Sequence, residues 1–362
     1  MKILLTGGGT LGSVSPLIAI YEEAKSQSKD WEWFWIGTKT GVERKIVESL
    51  NIQYEWIPSS KLRRYIAIET ILDPFMLIIS FFRSLLIILS AKPDVVIGAG
   101  SFISVPVIWA AFLFRKKIII HQQDIRPTLS NKLTAFCASK ITVSFEKSLD
   151  DYPKHKTEYT GNPVRDALLS AKSEIAKEKL KLKEEYPTLL VAGGSSGAKA
   201  INEWVWNNVS ELSNKINLIH LTGKDNINEK IPARNASASV AGGKKENYHQ
   251  IEFLHGDMFH TLKAADLVIT RAGISTLTEL SYLKKPTILV PMPKSHQEDN
   301  AAYFAKAHAS HLYRQDKLDD RVINHIKELL YDKSQLDKLS KRIQEIMKQG
   351  GRERLVEIIE SI

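Results

Sequence analysis

The 362-residue sequence holds a single cysteine, Cys137. No intramolecular disulfide can form, and a four-cysteine zinc site is excluded. No GxxxxGK[ST] segment occurs, so there is no P-loop. No Asp-x-Asp occurs either, so the usual carboxylate grip on a metal–nucleotide diphosphate is missing and no metal site is expected. No uninterrupted apolar run reaches the roughly 20 residues of a membrane span. The opening MKILLTGGG has too short an apolar run for a signal peptide and reads as a first β-strand. Together these absences point to a reducing, cytoplasmic setting.

What is present is an ordinary globular balance, 43% apolar and 25% charged. The length suggests two domains, each large enough for its own core. The net charge is +9, and most of the excess lies in residues 1–165, with 21 Lys+Arg against 15 Asp+Glu. A basic face suits a nucleotide or an anionic lipid surface. No nucleic-acid module is visible, and no nucleic-acid partner is expected.

Short β-rich runs alternate with longer helical stretches. KILLT (2–6), WEWFWIG (31–37), DVVIGAG (94–100), KIIIHQ (117–122) and KITVS (140–144) read as strands. The pattern restarts with TLLVAGG (188–194), INLIHLTG (216–223), QIEFLHG (250–256), DLVITRAG (266–273) and PTILVPMP (286–293). Strand–helix alternation argues an α/β fold with parallel sheets covered on both faces. Two Rossmann-like domains follow, 1–163 and 164–340, with a helix over 341–362 folding back on the first. Residues 230–249 read as a surface loop.

Phe75–Ser90 reads FMLIISFFRSLLIILS, with Asp73 and Pro74 placed to start a helix. It is apolar nearly all round, yet one sheet face buries only one side. Lys61, Arg63, Arg64, Arg83, Lys92 and the Arg115–Lys117 cluster lie near it in sequence. An apolar helix rimmed by cations suits peripheral attachment to an anionic membrane surface.

Gly7, Gly9 and Gly12 satisfy GxGxxG after the first strand. A dinucleotide site also needs an acid at the end of the second strand, and Gly37-Thr38-Lys39 supplies none, so NAD and other cofactors are not expected. The loop still offers N–H groups at a helix N-terminus to an anion or a polar sugar. Gly193–Ala198 repeats the design in the second half. A third loop, Arg271–Glu279, carries Ser and Thr hydroxyls suited to a diphosphate, and Glu279 is placed to accept from ribose hydroxyls. Arg165 is a candidate for meeting the charge of a diphosphate leaving group.

In order, GGGTLGSVSP, HQQD (121–124), GNPVR (161–165), GGSSGA (193–198), RAGISTLTE (271–279) and HQEDNA (296–301) resemble the MurG family of N-acetylglucosaminyltransferases over nearly the whole chain. The resemblance implies a glycosyltransferase-B architecture with its site facing a cleft between the two domains. It implies inverting transfer of GlcNAc from UDP-GlcNAc to the C4 hydroxyl of MurNAc in lipid I, undecaprenyl-pyrophosphoryl-MurNAc-pentapeptide, at the cytoplasmic face of the cell membrane. Gly9 and Thr10 match the loop near the sugar. Arg165 and Ser195 match diphosphate contacts, and His255 a backbone contact to uracil. Ser275, Thr276, Leu277 and Thr278 match the nucleotide loop, Glu279 the ribose carboxylate, Gln297 a sugar contact, and Asn300 stands in the same motif.

Three motifs depart from the family pattern. GGTGGH becomes GGTLGS, with Ser13 for His. HEQN becomes His121-Gln122-Gln123-Asp124, and Ser196 replaces Gln in GGSQGA. Displacement at the anomeric carbon needs a base for the acceptor hydroxyl, and serine cannot serve unaided. Asp124 and His121 are the candidates, Asp124 also as a sugar contact. The altered acceptor side leaves open a related enzyme with another lipid-linked or small-molecule acceptor.

Overall fold

The computed structural model describes residues 1–58, 68–194, 196–231, 246–254 and 256–362, with the backbone alone over 68–73. Ser195, His255, Lys61, Arg63 and Arg64, and most of the loop expected at 230–249, lie outside the described residues. The chain divides into two compact units, Met1–Asp166 together with Met347–Ile362, and Ala167–Ile346.

The first unit carries β1 (Lys2–Thr6), β2 (Glu32–Gly37), β3 (Gln53–Trp56), β4 (Val95–Gly98), β5 (Lys117–Gln122), β6 (Lys140–Val143) and β7 (Thr157–Tyr159). They form one parallel sheet in the order β3-β2-β1-β4-β5-β6-β7. Successive residues of a strand point to opposite faces. Ile3 and Leu5 accordingly enter one core with Trp35 and Ile97, while Leu4 enters another with Val96 and Ile120. Both faces are covered, which is why the central strands read as continuous apolar runs.

The second unit carries β8 (Thr188–Ala192), β9 (Asn217–Leu221), β10 (Tyr248–Ile251), β11 (Leu267–Thr270), β12 (Thr287–Leu289) and β13 (His311–Leu312). Their order is β10-β9-β8-β11-β12-β13, again all parallel.

One helical expectation is corrected: Asp73 and Pro74 do not start their helix, which runs Ile68–Ala91 with Pro74 inside it. Within the charged stretch 171–187 the helix covers only Ser173–Leu180, because Lys181 takes a left-handed conformation, φ 50°, and ends it. The last helix, Gly351–Ser361, buries Leu355, Val356, Ile358 and Ile359 in the core that holds Val14, Leu17 and Ile18. Arg352 pins it there, with Nε 2.9 Å from the buried Glu23 and a further ion pair to Asp166. Gly161 meets the segment before this helix so closely that an added Cβ would stand 2.0 Å from the Lys348 carbonyl oxygen.

Candidate active site

In each sheet the strand order reverses beside its first strand, between β1 and β4 and between β8 and β11. Ligands of open α/β sheets bind outside the carboxyl ends of the strands at such points. The glycine loops predicted from sequence leave from β1, β8 and β11.

The loop after β1 stands on a hydrogen-bonded base. Ser101 Oγ donates to the Gly8 carbonyl at 2.9 Å, and Trp35 Nε1 donates to that of Gly7 at 3.0 Å. Ser13 is buried, and its hydroxyl is turned back onto the carbonyls of Gly8 and Thr10, each at 3.3 Å. Its neighbour in function is a side chain the sequence reading missed. Glu43 is fully buried, with Oε1 accepting from the Thr38 N–H at 2.8 Å and the Thr38 hydroxyl at 2.5 Å, and Oε2 accepting from the Gly9 N–H at 3.2 Å. Gly8 and Gly41 make room for it, since a Cβ at either would lie 2.3 or 2.1 Å from a carboxylate oxygen. The expectation that this loop offers its N–H groups to an anion is therefore corrected at Gly9, where an internal carboxylate already takes that place. Gly9 and Thr10 are exposed at the tip.

The His121–Asp124 motif ends β5. His121 is wholly buried, with Nε2 2.9 Å from Asn162 Oδ1 and Nδ1 2.9 Å from Thr142 Oγ1. With the asparagine presenting its carbonyl oxygen, Nε2 donates and Nδ1 accepts from the threonine hydroxyl. Burial pushes the imidazole pKa down to about 4, so it is neutral at pH 7. Both nitrogens are occupied inside the fold. The expectation of His121 as a base is thus corrected: it locks β5 to β6 and to the Gly161–Arg165 motif. Gln123 is also buried and donates to the Ala99 carbonyl at 3.0 Å. Asp124, the next residue, is half-buried and is the motif's single carboxylate.

Arg165 reaches Glu22, Nε to Oε1 3.8 Å, too far for a hydrogen bond, and its buried Nε has no hydrogen-bond partner among the described residues. Glu22 also accepts from the Asp166 N–H at 2.8 Å. Burial raises the Glu22 pKa, opposed by that N–H and by Arg165.

In the second unit, helix Ile274–Leu283 begins at Gly273 with no side-chain cap. Ser275, Thr276 and Glu279 lie partly exposed on its first turns. In the matched nucleotide loop the side chains of Leu277 and Thr278 point inward. Leu277 is core and its N–H donates to the Gly273 carbonyl, while the Thr278 hydroxyl is buried and donates to the Ile274 carbonyl at 2.9 Å. Asn300 is likewise buried, and its amide donates to the Ala272 carbonyl at 3.1 Å, tying helix His296–Lys306 to this loop. Gln297 stays half-exposed on that helix, with Oε1 accepting from the Met292 N–H at 3.0 Å. Among the described residues no cluster of three or more His, Cys, Asp or Glu side chains could hold a metal ion.

The apolar helix Ile68–Ala91 packs beside helix Ser104–Leu113 with its amphipathicity inverted. Ser80, Ser84 and Ile88 form the buried stripe, whereas Phe75, Ile78, Ile79, Phe82, Leu86 and Leu89 are exposed. Ser80 Oγ donates to the Pro58 carbonyl, and Ser84 Oγ to that of Ser80. The segment Pro74–Ala91 is long and apolar enough to cross a membrane, with mean hydropathy 2.0, and only 17% of it is buried. Arg83 is not a free rim cation, because its guanidinium lies 3.7 Å over the Trp56 ring.

Two family descriptions match the chain: the glycosyltransferase family 28 N-terminal domain over residues 3–143 and the C-terminal domain over 188–354. A UDP-N-acetylglucosamine–N-acetylmuramyl-(pentapeptide) pyrophosphoryl-undecaprenol N-acetylglucosamine transferase of Bacillus thuringiensis is 37% identical, covering 91% of this chain and 92% of its own. The enzyme of that name from Clostridium kluyveri is 37% identical over 89% of each. Among solved structures, Acinetobacter baumannii MurG superposes with TM-score 0.75 at 23% identity, over 100% of this chain and 99% of its own. A UDP-GlcNAc 2-epimerase from Neisseria meningitidis superposes with TM-score 0.70 at 14% identity over the full length of both. At such identities the structural likeness establishes the fold alone.

Proposed function

Since the chain belongs to the family of UDP-N-acetylglucosamine–N-acetylmuramyl-(pentapeptide) pyrophosphoryl-undecaprenol N-acetylglucosamine transferases, we propose a division of labour for its residues in that reaction. The enzyme moves GlcNAc from UDP-GlcNAc to the C4 hydroxyl of MurNAc in lipid I, giving lipid II for peptidoglycan synthesis. The observation that carries this is the 37% identity to curated transferases over 91% of the chain.

In the second unit the uncapped start of helix Ile274–Leu283, with Ser275 and Thr276, receives the UDP diphosphate, and Glu279 accepts from the ribose hydroxyls. Gln297 reads the sugar. Ser195 and His255 complete the donor contacts by family resemblance. Arg165 of the first unit, whose Nε lacks a hydrogen-bond partner among the described residues, meets charge developing on the departing UDP. In the first unit, Gly9 and Thr10 approach the neutral sugar. The Glu43 carboxylate beneath Gly9 disfavours a second anion there and suits hydroxyl groups. Asp124 takes the proton of the acceptor hydroxyl as its oxygen bonds to the anomeric carbon and the bond to UDP breaks, with inversion. The exposed apolar helix face rests in an anionic membrane surface on the cytoplasmic side, where the lipid acceptor resides.

The test is UDP release by purified protein from UDP-GlcNAc. Release that requires a lipid I analogue supports transfer. Equal release without any acceptor contradicts it.

A further inference from the structure

Helix Leu11–Ser26 carries two adjacent carboxylates to the segment where the chain leaves the first unit, and they are held differently. Glu23 is buried and has a cation of its own, with Arg352 Nε 2.9 Å from its Oε2. Glu22 divides its two oxygens. Oε2 accepts from the Asp166 N–H at 2.8 Å, while Oε1 faces Arg165 Nε across 3.8 Å, beyond hydrogen-bond reach. Asp166 is itself fixed by an ion pair with Arg352. Glu22 is therefore anchored through the backbone, and Arg165 can move away without releasing it.

Arg165 is held far less firmly. Its buried Nε has no hydrogen-bond partner among the described residues, yet the side chain as a whole is 30% exposed. A guanidinium offers five N–H donors in a planar fork, and its strong contacts to carboxylate or phosphate are paired hydrogen bonds. The contact with Glu22 is a loose ion pair without them. It is enough to keep the cation close and weak enough to be exchanged for an anion that accepts hydrogen bonds. Burial disfavours the charged form of Glu22, so once stripped of its cation the carboxylate draws Arg165 back.

We propose that Glu22 is the resident counter-anion of Arg165: the UDP diphosphate displaces it on binding, and it competes with UDP for the guanidinium afterwards, which favours product release. This rests on the reading of Arg165 as a diphosphate contact and adds the residue that tunes that contact. Glu22 touches no substrate. It is a positioning residue that acts through Arg165.

The test is calorimetric titration of the full chain with UDP, together with the KM for UDP-GlcNAc and inhibition by UDP in the transfer assay. Glu22→Gln keeps an oxygen for the Asp166 N–H and deletes the charge. It should bind UDP about five-fold more tightly, the upper worth of an ion pair partly open to water. KM for UDP-GlcNAc should fall, and UDP should inhibit more strongly by the same factor. Glu22→Ala gives up the hydrogen bond as well and should still bind UDP more tightly than wild type, with thermal melts confirming the fold of each variant. In an Arg165→Met background the Glu22→Gln effect should vanish, because the two residues act as one unit. A purely structural role predicts the opposite sign, since a disturbed segment loses affinity. Weaker or unchanged UDP binding in Glu22→Gln, while Arg165→Met weakens it, overturns the counter-anion and leaves the Arg165 contact standing. Tightening that persists in Arg165→Met also overturns it, because Glu22 would then repel the diphosphate directly. UDP affinity unchanged in Arg165→Met removes the Arg165 contact and the counter-anion together.

Discussion

The Glu43 carboxylate stands beneath the first glycine loop, with Oε2 3.2 Å from the Gly9 nitrogen. Through Thr38 it also holds the loop that follows β2. One buried side chain therefore fixes the backbone on which Gly9 and Thr10 are presented. Glu43→Ala leaves the N–H groups of Thr38 and Gly9 without their acceptor. It should cost about 1–3 kcal/mol of stability, read by urea unfolding. Turnover should fall while UDP-GlcNAc affinity, proposed to reside in the second unit, is kept. Unchanged stability and turnover would show that the loop holds its shape unaided.

The role proposed for Glu279 is on the donor. Glu279→Ala should weaken UDP-GlcNAc binding by roughly 1.5–3 kcal/mol, the worth of charge-assisted hydrogen bonds. Calorimetry in EDTA reads this directly, and an unchanged dissociation constant removes the ribose assignment.

Buried histidine makes the fold acid-sensitive. His121 is held down to about 4 and His220, buried among Asn202 and Tyr248, down to about 3. In the unfolded chain both titrate near 6.5. Between these values the unfolded state binds more protons, so stability is complete above about pH 6.5 and is lost as pH falls toward the folded values. From pH 7 to pH 5 each histidine should cost about 2 kcal/mol. His121→Asn lowers stability at pH 7, but it should reduce the pH 7 to pH 5 difference by about that amount. An undiminished difference would mean that His121 does not stay neutral in the folded state.

Much of this architecture was legible because the central strands of parallel sheets are buried on both faces and announce themselves as apolar runs. The strands that escaped notice are edges. QYEW (β3), TEY (β7) and HL (β13) are short and partly exposed, and their pattern is indistinguishable from loop. Site residues divide in the same way. Ser275, Thr276, Glu279 and Gln297 keep exposed surface at the expected loops. His121, Leu277, Thr278 and Asn300 belong to the same motifs but face inward. A motif preserves the framework of a loop together with its contacts, and sequence does not separate the two. Glu43 carried no signal of its own, since a glutamate early in an amphipathic helix ordinarily faces water. Its burial depends on glycines at 8 and 41 that come together only in the fold.

The exposed stripe of helix Ile68–Ala91 predicts reversible vesicle binding. Phe82→Ser/Leu86→Ser removes two side chains that are 60% and 69% exposed, so the fold should keep its stability within about 0.5 kcal/mol. Vesicle affinity should fall at least ten-fold, given roughly 1.5–3 kcal/mol for burying each large apolar side chain. Unaltered pelleting would place the membrane contact elsewhere.

Asp124 carries the proposed chemistry on the acceptor side. Asp124→Asn deletes the charge and keeps the shape. Turnover should drop about 10²–10⁴-fold, the usual span for a general base, with UDP-GlcNAc affinity nearly unchanged. Turnover within a few-fold of wild type would take Asp124 off the reaction path.

The most direct measurement is the product itself. Purified protein, UDP-GlcNAc and a lipid I analogue are incubated in EDTA, and the lipid product is analysed by mass spectrometry and glycosidase digestion. The predicted result is a single added GlcNAc, β-linked to the MurNAc C4 hydroxyl, formed at a rate unaffected by the chelator. An unmodified lipid I analogue beside turnover of another acceptor, or transfer that stops in EDTA, would contradict it.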